Sequence, residues 1–106
     1  SGEENTIAIP GFEKVTLYAN ETTQAVNFHN PEINDCYFKI SLIHPDGSVL
    51  WISDLIEPGK GMYSIELEKT LAVGEYENAV LKYECFSLND QSPLNGSEIN
   101  LKLVVV

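Results

Sequence analysis

Cys36 and Cys85, with His29 and His44, are the side chains best suited to covalent or acid–base chemistry. A nucleophilic pair needs its base within hydrogen-bond reach of the thiol and a third group to orient it. Only His29 and Cys36 stand close in sequence, and no oxyanion feature accompanies them. Zinc favours closely paired ligands, which two such distant cysteines do not supply. Oxygen donors gather at Asn30, Glu32, Asn34 and Asp35, and again at Asn89 and Asp90. These are hard ligands of the kind calcium accepts. The same residue types also favour turns for local reasons, and neither run has the spacing of a calcium loop. Tyr18, Tyr37, Trp51 and Tyr63 are the aromatics able to stack on a sugar ring. The expectation is no catalytic residue, no cofactor and no metal centre.

Charge narrows the partners. The chain has six lysines, no arginine and sixteen acidic residues, for a net charge of -10. Nucleic-acid binding requires a basic footprint to displace counterions from phosphates, and adhesion to anionic lipid headgroups needs the same. Neither is expected. The acidity reads first as a solvated surface that keeps the chain soluble. No apolar run approaches the roughly 18 residues of a membrane helix, so no membrane insertion is expected. Hydrophobic residues at 43% and charged residues at 21% suit a globular domain. The 106 residues make one domain with a real core and little to spare. Residues 1–6 are expected to be a disordered lead-in beginning with an expression scar, Ser1-Gly2, and residues 7–106 a single domain. No signal-peptide pattern occurs within these residues. A leader or anchor is expected to have been removed.

The elements that must position these residues are strands. Ala79, Leu81, Tyr83 and Cys85 alternate with Val80, Lys82, Glu84 and Phe86, the period of two that marks a strand. Residues 75–87 are therefore predicted as the longest and central strand. Before it come 7–9 (ended by Pro10-Gly11), 14–18, 23–29 (with Ala25 or Val26 and Phe28 inward), 36–44, 48–53 and 61–68. After it come a loop over 89–96 and a last strand over 97–106. Pro45-Asp46-Gly47 suits a tight hairpin turn, because proline presets φ and glycine accepts positive φ. The strand over 48–53 is apolar on both faces, so its pattern leaves the buried side open. Short strands with turn chemistry every 8–12 residues and no helix predict an all-β antiparallel sandwich of about seven to eight strands in two sheets.

Gly74-Glu75-Tyr76 resembles the tyrosine corner of immunoglobulin-like domains, in which a tyrosine hydroxyl near the start of strand F bonds to upstream backbone. The order of elements agrees with that family. Asn78 stands where antibody domains place a cysteine, Cys36 opens strand C, and Trp51 falls on the return strand of the C hairpin. The chain thus resembles the broad bacterial immunoglobulin-like class and not an antibody domain. The phrases IAIPGFE, VNFHNPEINDCYF, LIEPGK, LAVGEYENAVLKYE and SPLNGSEINLKL are similar to short surface or secreted proteins of Gram-positive gut bacteria. That group carries an N-terminal signal or anchor and has no assigned activity.

The resemblance implies several placements. Strands C and F would be antiparallel neighbours, bringing Cys36 and Cys85 to one end of a sheet. There they form either a disulfide or two buried thiols packed as small hydrophobes. His29 and His44 would lie at opposite poles. The loops bearing Asn30, Glu32, Asn34, Asp35, Asn89 and Asp90 would share an end. Phe38, Ile40, Leu42, Ile65, Leu67, Leu81, Tyr83, Ile99, Leu101 and Leu103 would form the core. If Tyr76 turns inward, strict alternation would also bury Lys82, so a β-bulge is predicted between Glu77 and Val80. The implied function is a non-catalytic extracellular or cell-surface module, structural or protein-binding. The alternative is a carbohydrate-binding module using Tyr37 and Trp51 on a cell-surface glycan.

Overall fold

The structure, a computed structural model, describes residues 7–9 and 13–106. Seven strands follow in order: β1 (Lys14–Leu17), β2 (Thr23–His29), β3 (Cys36–Ile43), β4 (Val49–Ile52), β5 (Gly61–Glu66), β6 (Gly74–Ser87) and β7 (Pro93–Val105). No helix occurs among the described residues, so none there is long and apolar enough to cross a membrane. Five strands form one curled sheet in the order β1-β7-β6-β3-β4, and β2 pairs with β5 in a second. All pairings are antiparallel except β1 with β7. The chain is therefore all-β in two sheets.

β6 is central, as its alternation demands. Ala79, Leu81, Tyr83 and Cys85 are all buried, while Val80, Lys82, Glu84 and Phe86 are half-buried on the other face. Its 14 residues, at about 3.3 Å each, account for the longest dimension of the molecule, 46 Å against 21 and 20 Å. Beside its inner side chains lie Phe38, Ile40 and Leu42 from β3 and Leu101 and Leu103 from β7, and Phe28, Ile65 and Leu67 from the second sheet and its edge belong to the same core. Each predicted core residue is buried except Ile99, which is partly so.

The inward tyrosine and the outward lysine are reconciled by a bulge. Tyr76 pairs with Leu103 and Ala79 with Leu101, so β6 spends one more residue than β7 between them. Asn78 makes the adjustment with φ of 64°, a left-handed conformation that asparagine tolerates better than most residues. Tyr76 then packs on the core, and its hydroxyl donates to the Ala72 carbonyl at 2.8 Å. Tyr76→Phe is expected to lower stability by about 1 kcal/mol, read as a shift in urea midpoint with unchanged slope. No shift would mean that water replaces the bond fully.

Several boundaries differ from expectation. Residues 7–9 form no strand; the expected Pro10-Gly11 turn, like the lead-in at 1–6, lies outside the described residues. The loop over 89–96 is shorter than predicted, because β7 begins at Pro93. On β2 the inward positions are Gln24 and Phe28 with Val26 half-buried, while Ala25 is exposed. The Gln24 side-chain amide donates to the carbonyls of Tyr18 and Glu21, and its oxygen accepts from the Tyr18 N–H. A polar side chain thus closes the β1–β2 turn from inside.

Candidate functional site

The end of the molecule where β2 passes to β3 was expected to present donor oxygens, and two of them are committed elsewhere. Asn30 is fully buried. Its amide donates to the carbonyls of Cys36 at 2.8 Å and Ile56 at 2.9 Å, and its oxygen accepts from Asn34 at 2.9 Å. Asn34 also donates to the Ala8 carbonyl and accepts the Ala8 N–H. Together they pin residues 7–9 and the loop after Ile56 to the start of β3. They are positioning residues, buried and bonded to backbone and to each other. Glu32, Asp35, Asn89 and Asp90 are exposed. The Asp90 carboxylate accepts from the Ser92 N–H at 3.0 Å, and the Ser92 hydroxyl and amide hold it below the ordinary carboxylate range. No group of three His, Cys, Asp or Glu side chains able to hold a metal ion occurs among the described residues.

Cys36 and Cys85 do meet at one end of the sheet. Cys36 pairs with Ser87 and Cys85 with Phe38, so the two are diagonal neighbours on the buried face. Both are free thiols in this structure and are hydrogen-bonded to each other. Burial raises the Cys36 thiol above its ordinary value and pushes Cys85 up to about 12, the neighbouring cysteine adding to the second shift. Thiolates are the reactive form. As thiols, the pair is expected to resist alkylation at mildly basic pH and to react at the rate of unfolding. Rapid labelling of the native domain would overturn that. Intact mass with and without reductant reads which form the isolated domain carries.

The histidines stay apart. His29 ends β2 beside Asn30, and its Nδ1 is buried with no hydrogen-bond partner among the described residues. His44 lies past the end of β3, packed edge-on against Tyr76 with ring centroids 5.3 Å apart. Its Nδ1 accepts the Asp46 N–H at 3.1 Å. The β3–β4 turn is tied by Asp46, whose carboxylate takes the Ser48 N–H and hydroxyl at 2.8 and 2.6 Å. Those two bonds, chiefly, hold Asp46 down to about 2, with His44 and Lys69 contributing. A depressed folded-state pKa gives stability that is fully present above the ordinary aspartate value and is lost as pH falls toward the folded one. Asp46→Asn is therefore expected to flatten the acid limb of the stability curve below the ordinary aspartate range down to about pH 2. Identical limbs in denaturant titrations of both proteins would overturn this.

The aromatics do not line up for sugar stacking. Trp51 is only 7% exposed. It pairs with Leu42 on the inner face and lies 5.7 Å from the Phe28 ring. Leu50 and Trp51 are both buried because the register shifts between Leu42 and Ile43, which answers the question its two-faced pattern left open. Tyr37 is half-buried opposite Phe86. Tyr18, just past β1, and Tyr63, within β5, are both exposed.

One feature went unforeseen: the outer arm of the β6–β7 hairpin. Residues 88–98 are exposed throughout, with Leu88 and Leu94 among the large uncovered apolar side chains. Between the arm's two strands runs a cleft of about 380 Å³ whose lining includes Glu84, Phe86, Pro93, Leu94 and Glu98. It opens where Cys85 pairs with Leu94 but Tyr83 with Ser97, a bulge on β7. Gly96 sits in that bulge, where a Cβ would come 2.3 Å from the Tyr83 carbonyl oxygen. Glycine within a strand often marks such a bulge or close backbone approach. That signal was present in SPLNGSE, but proline and asparagine beside it read as a loop.

The fold defines an all-β domain of two sheets with an uncovered hairpin arm. No family model, curated protein or solved structure matches the chain.

Proposed function

We propose that the chain is an immunoglobulin-like module, non-catalytic and extracellular, that works by contact with another protein at the surface of, or secreted from, a Gram-positive-like cell. The immunoglobulin-like assignment is supported by the sheet order, which reads A′-G-F-C-C′ in that family's terms, and by the Tyr76 hydroxyl bonded to upstream backbone. The extracellular placement rests on the resemblance in sequence. The observation that carries the contact function is the β6–β7 arm, with Leu88 and Leu94 42% and 47% exposed. Protein contact sites commonly combine such uncovered apolar side chains with an open strand edge. The glycan alternative has lost Trp51 to the core.

A photo-crosslinker replacing Leu94, presented to envelope proteins of the producing cell, tests the reading. A discrete protein adduct, competed by unlabelled domain and absent when the crosslinker replaces Tyr63, is the expected result. No competed adduct, together with retention on a glycan array, would overturn it.

A further inference from the structure

Cys36 and Cys85 are the only two cysteines of the chain, about 50 positions apart. The pairing of β3 with β6 sets Cys36 opposite Ser87 and Cys85 opposite Phe38. Alternation then puts both sulfurs on the inner face of adjacent strands, one diagonal step apart. The two residues are 2% and 1% exposed, and their thiols are hydrogen-bonded to each other. To bond covalently they must close from that contact to about 2 Å. Their place in the sheet permits the movement. Cys36 is the first residue of β3, and pairing on the far side of β3 begins only at Phe38, which bridges Ile56. Among the described strands, Cys36 and Tyr37 thus pair with β6 alone. Apart from the Asn30 amide on the Cys36 carbonyl, the end of β3 can adjust without parting a second ladder.

Other uses of the pair find no support. No third His, Cys, Asp or Glu joins them as a metal ligand among the described residues. Burial keeps both protonated in the folded domain, which disfavours a nucleophile. A bond to each other remains. Because the folded domain hides both sulfurs, that bond has to form while the chain is still folding.

We propose that Cys36 and Cys85 are an oxidation site that closes into a disulfide as the domain folds, the oxidant being an exchangeable disulfide. The thiolate of one cysteine attacks the oxidant, forming a mixed disulfide and expelling one oxidant thiolate. The thiolate of the second cysteine then attacks the first cysteine's sulfur and expels the other. Each expelled thiolate takes up one proton, so the chain gives up two hydrogens and two electrons and the oxidant becomes two thiols. The packed core then seals the bond from reductant. It clips the start of β3 to β6 beside Leu94, which pairs with Cys85, and so fixes the root of the β6–β7 arm. Such a bond persists in an oxidising compartment, in keeping with the extracellular placement, and it forms whatever the arm contacts.

Refolding tests this. Reduced, denatured chain is diluted either into a buffer of oxidised and reduced glutathione or into reductant alone. The glutathione buffer is expected to yield a monomer about 2 Da lighter, without bound glutathione, whose peptide map joins Cys36 to Cys85. Its urea midpoint should lie roughly 1–3 M above that of the thiol form. Dithiothreitol should leave the native bond intact and cleave it once urea is added. Cys36→Ala and Cys85→Ala should each show the same midpoint after either refolding, apart from any glutathione adduct. Free thiols or a glutathione adduct persisting on the unsubstituted chain would overturn the proposal. So would an oxidised form with an equal or lower midpoint, rapid reduction of the native bond, or a reducible mass of two chains.

Discussion

Asn30→Ala is expected to lower the unfolding free energy by roughly 2–3 kcal/mol, although no part of Asn30 is exposed to a ligand. The side chain is fully buried and makes three hydrogen bonds. Its removal deprives the Cys36 carbonyl and the Asn34 amide of a buried partner. The Ile56 carbonyl loses less, because it still accepts the Phe38 N–H at 3.0 Å. Buried polar groups left unmatched cost more than the net worth of the bond itself. Asn30→Asp separates packing from hydrogen bonding. It keeps the shape but cannot donate when ionised, so it should be at least as damaging as alanine. Denaturant unfolding with an unchanged slope would check both. A loss near zero for either variant would mean that the loop is held by its apolar contacts alone.

Gly96→Ala is expected to cost roughly 1–3 kcal/mol, the range typical of forced overpacking. Its Cβ would stand 2.3 Å from the Tyr83 oxygen, 3.3 Å from the Tyr83 carbonyl carbon and 3.4 Å from the Glu84 Cα. All are backbone atoms, so no rotamer change relieves the overlap and β6 must part from β7. Tyr83 is fully buried against Phe38, with rings 5.2 Å apart, and the disturbance therefore enters the core. Gly47→Ala provides the comparison. At φ of 91° with nothing within 4 Å of the added carbon, it meets backbone strain of about 1 kcal/mol and no clash. The expected readout is lost amide protection along the outer arm in Gly96→Ala only. Equal effects at the two glycines would refute the steric account.

Alternation made most of the architecture legible. The bounds of β2 agree with expectation, and β3, β4 and β5 differ only at their ends, because one buried face forces a period of two. The bulge at Asn78 was legible too, as a conflict between Tyr76 and Lys82. What escaped were side chains whose polarity contradicts their position. Gln24 sits inward because Tyr18 and Glu21 offer backbone partners there, and those partners are set by the turn, not by any periodic pattern. Asn30 and Asn34 read as possible ligands for the same reason: an asparagine that binds backbone and one that binds a cation look alike in sequence. The arm was hidden by its own composition. Pro93, Asn95 and Gly96 are turn residues by type, yet here they continue a strand at an edge, where proline is tolerated.

The parallel contact between β1 and β7 has a consequence under load. β1 is the first strand described and β7 the last, and they run side by side in the same direction. Tension drawn through the two ends of the domain pulls these strands past each other lengthwise. The bonds from Lys102 to Glu13, from Val106 to Leu17 and from Ala19 to Val106 then bear the load at once; they are not peeled open one by one. Bonds sheared together in this way resist stretching along the chain, while the part of β7 upstream of Lys102, which among the described strands pairs with β6 alone, lies outside that clamp.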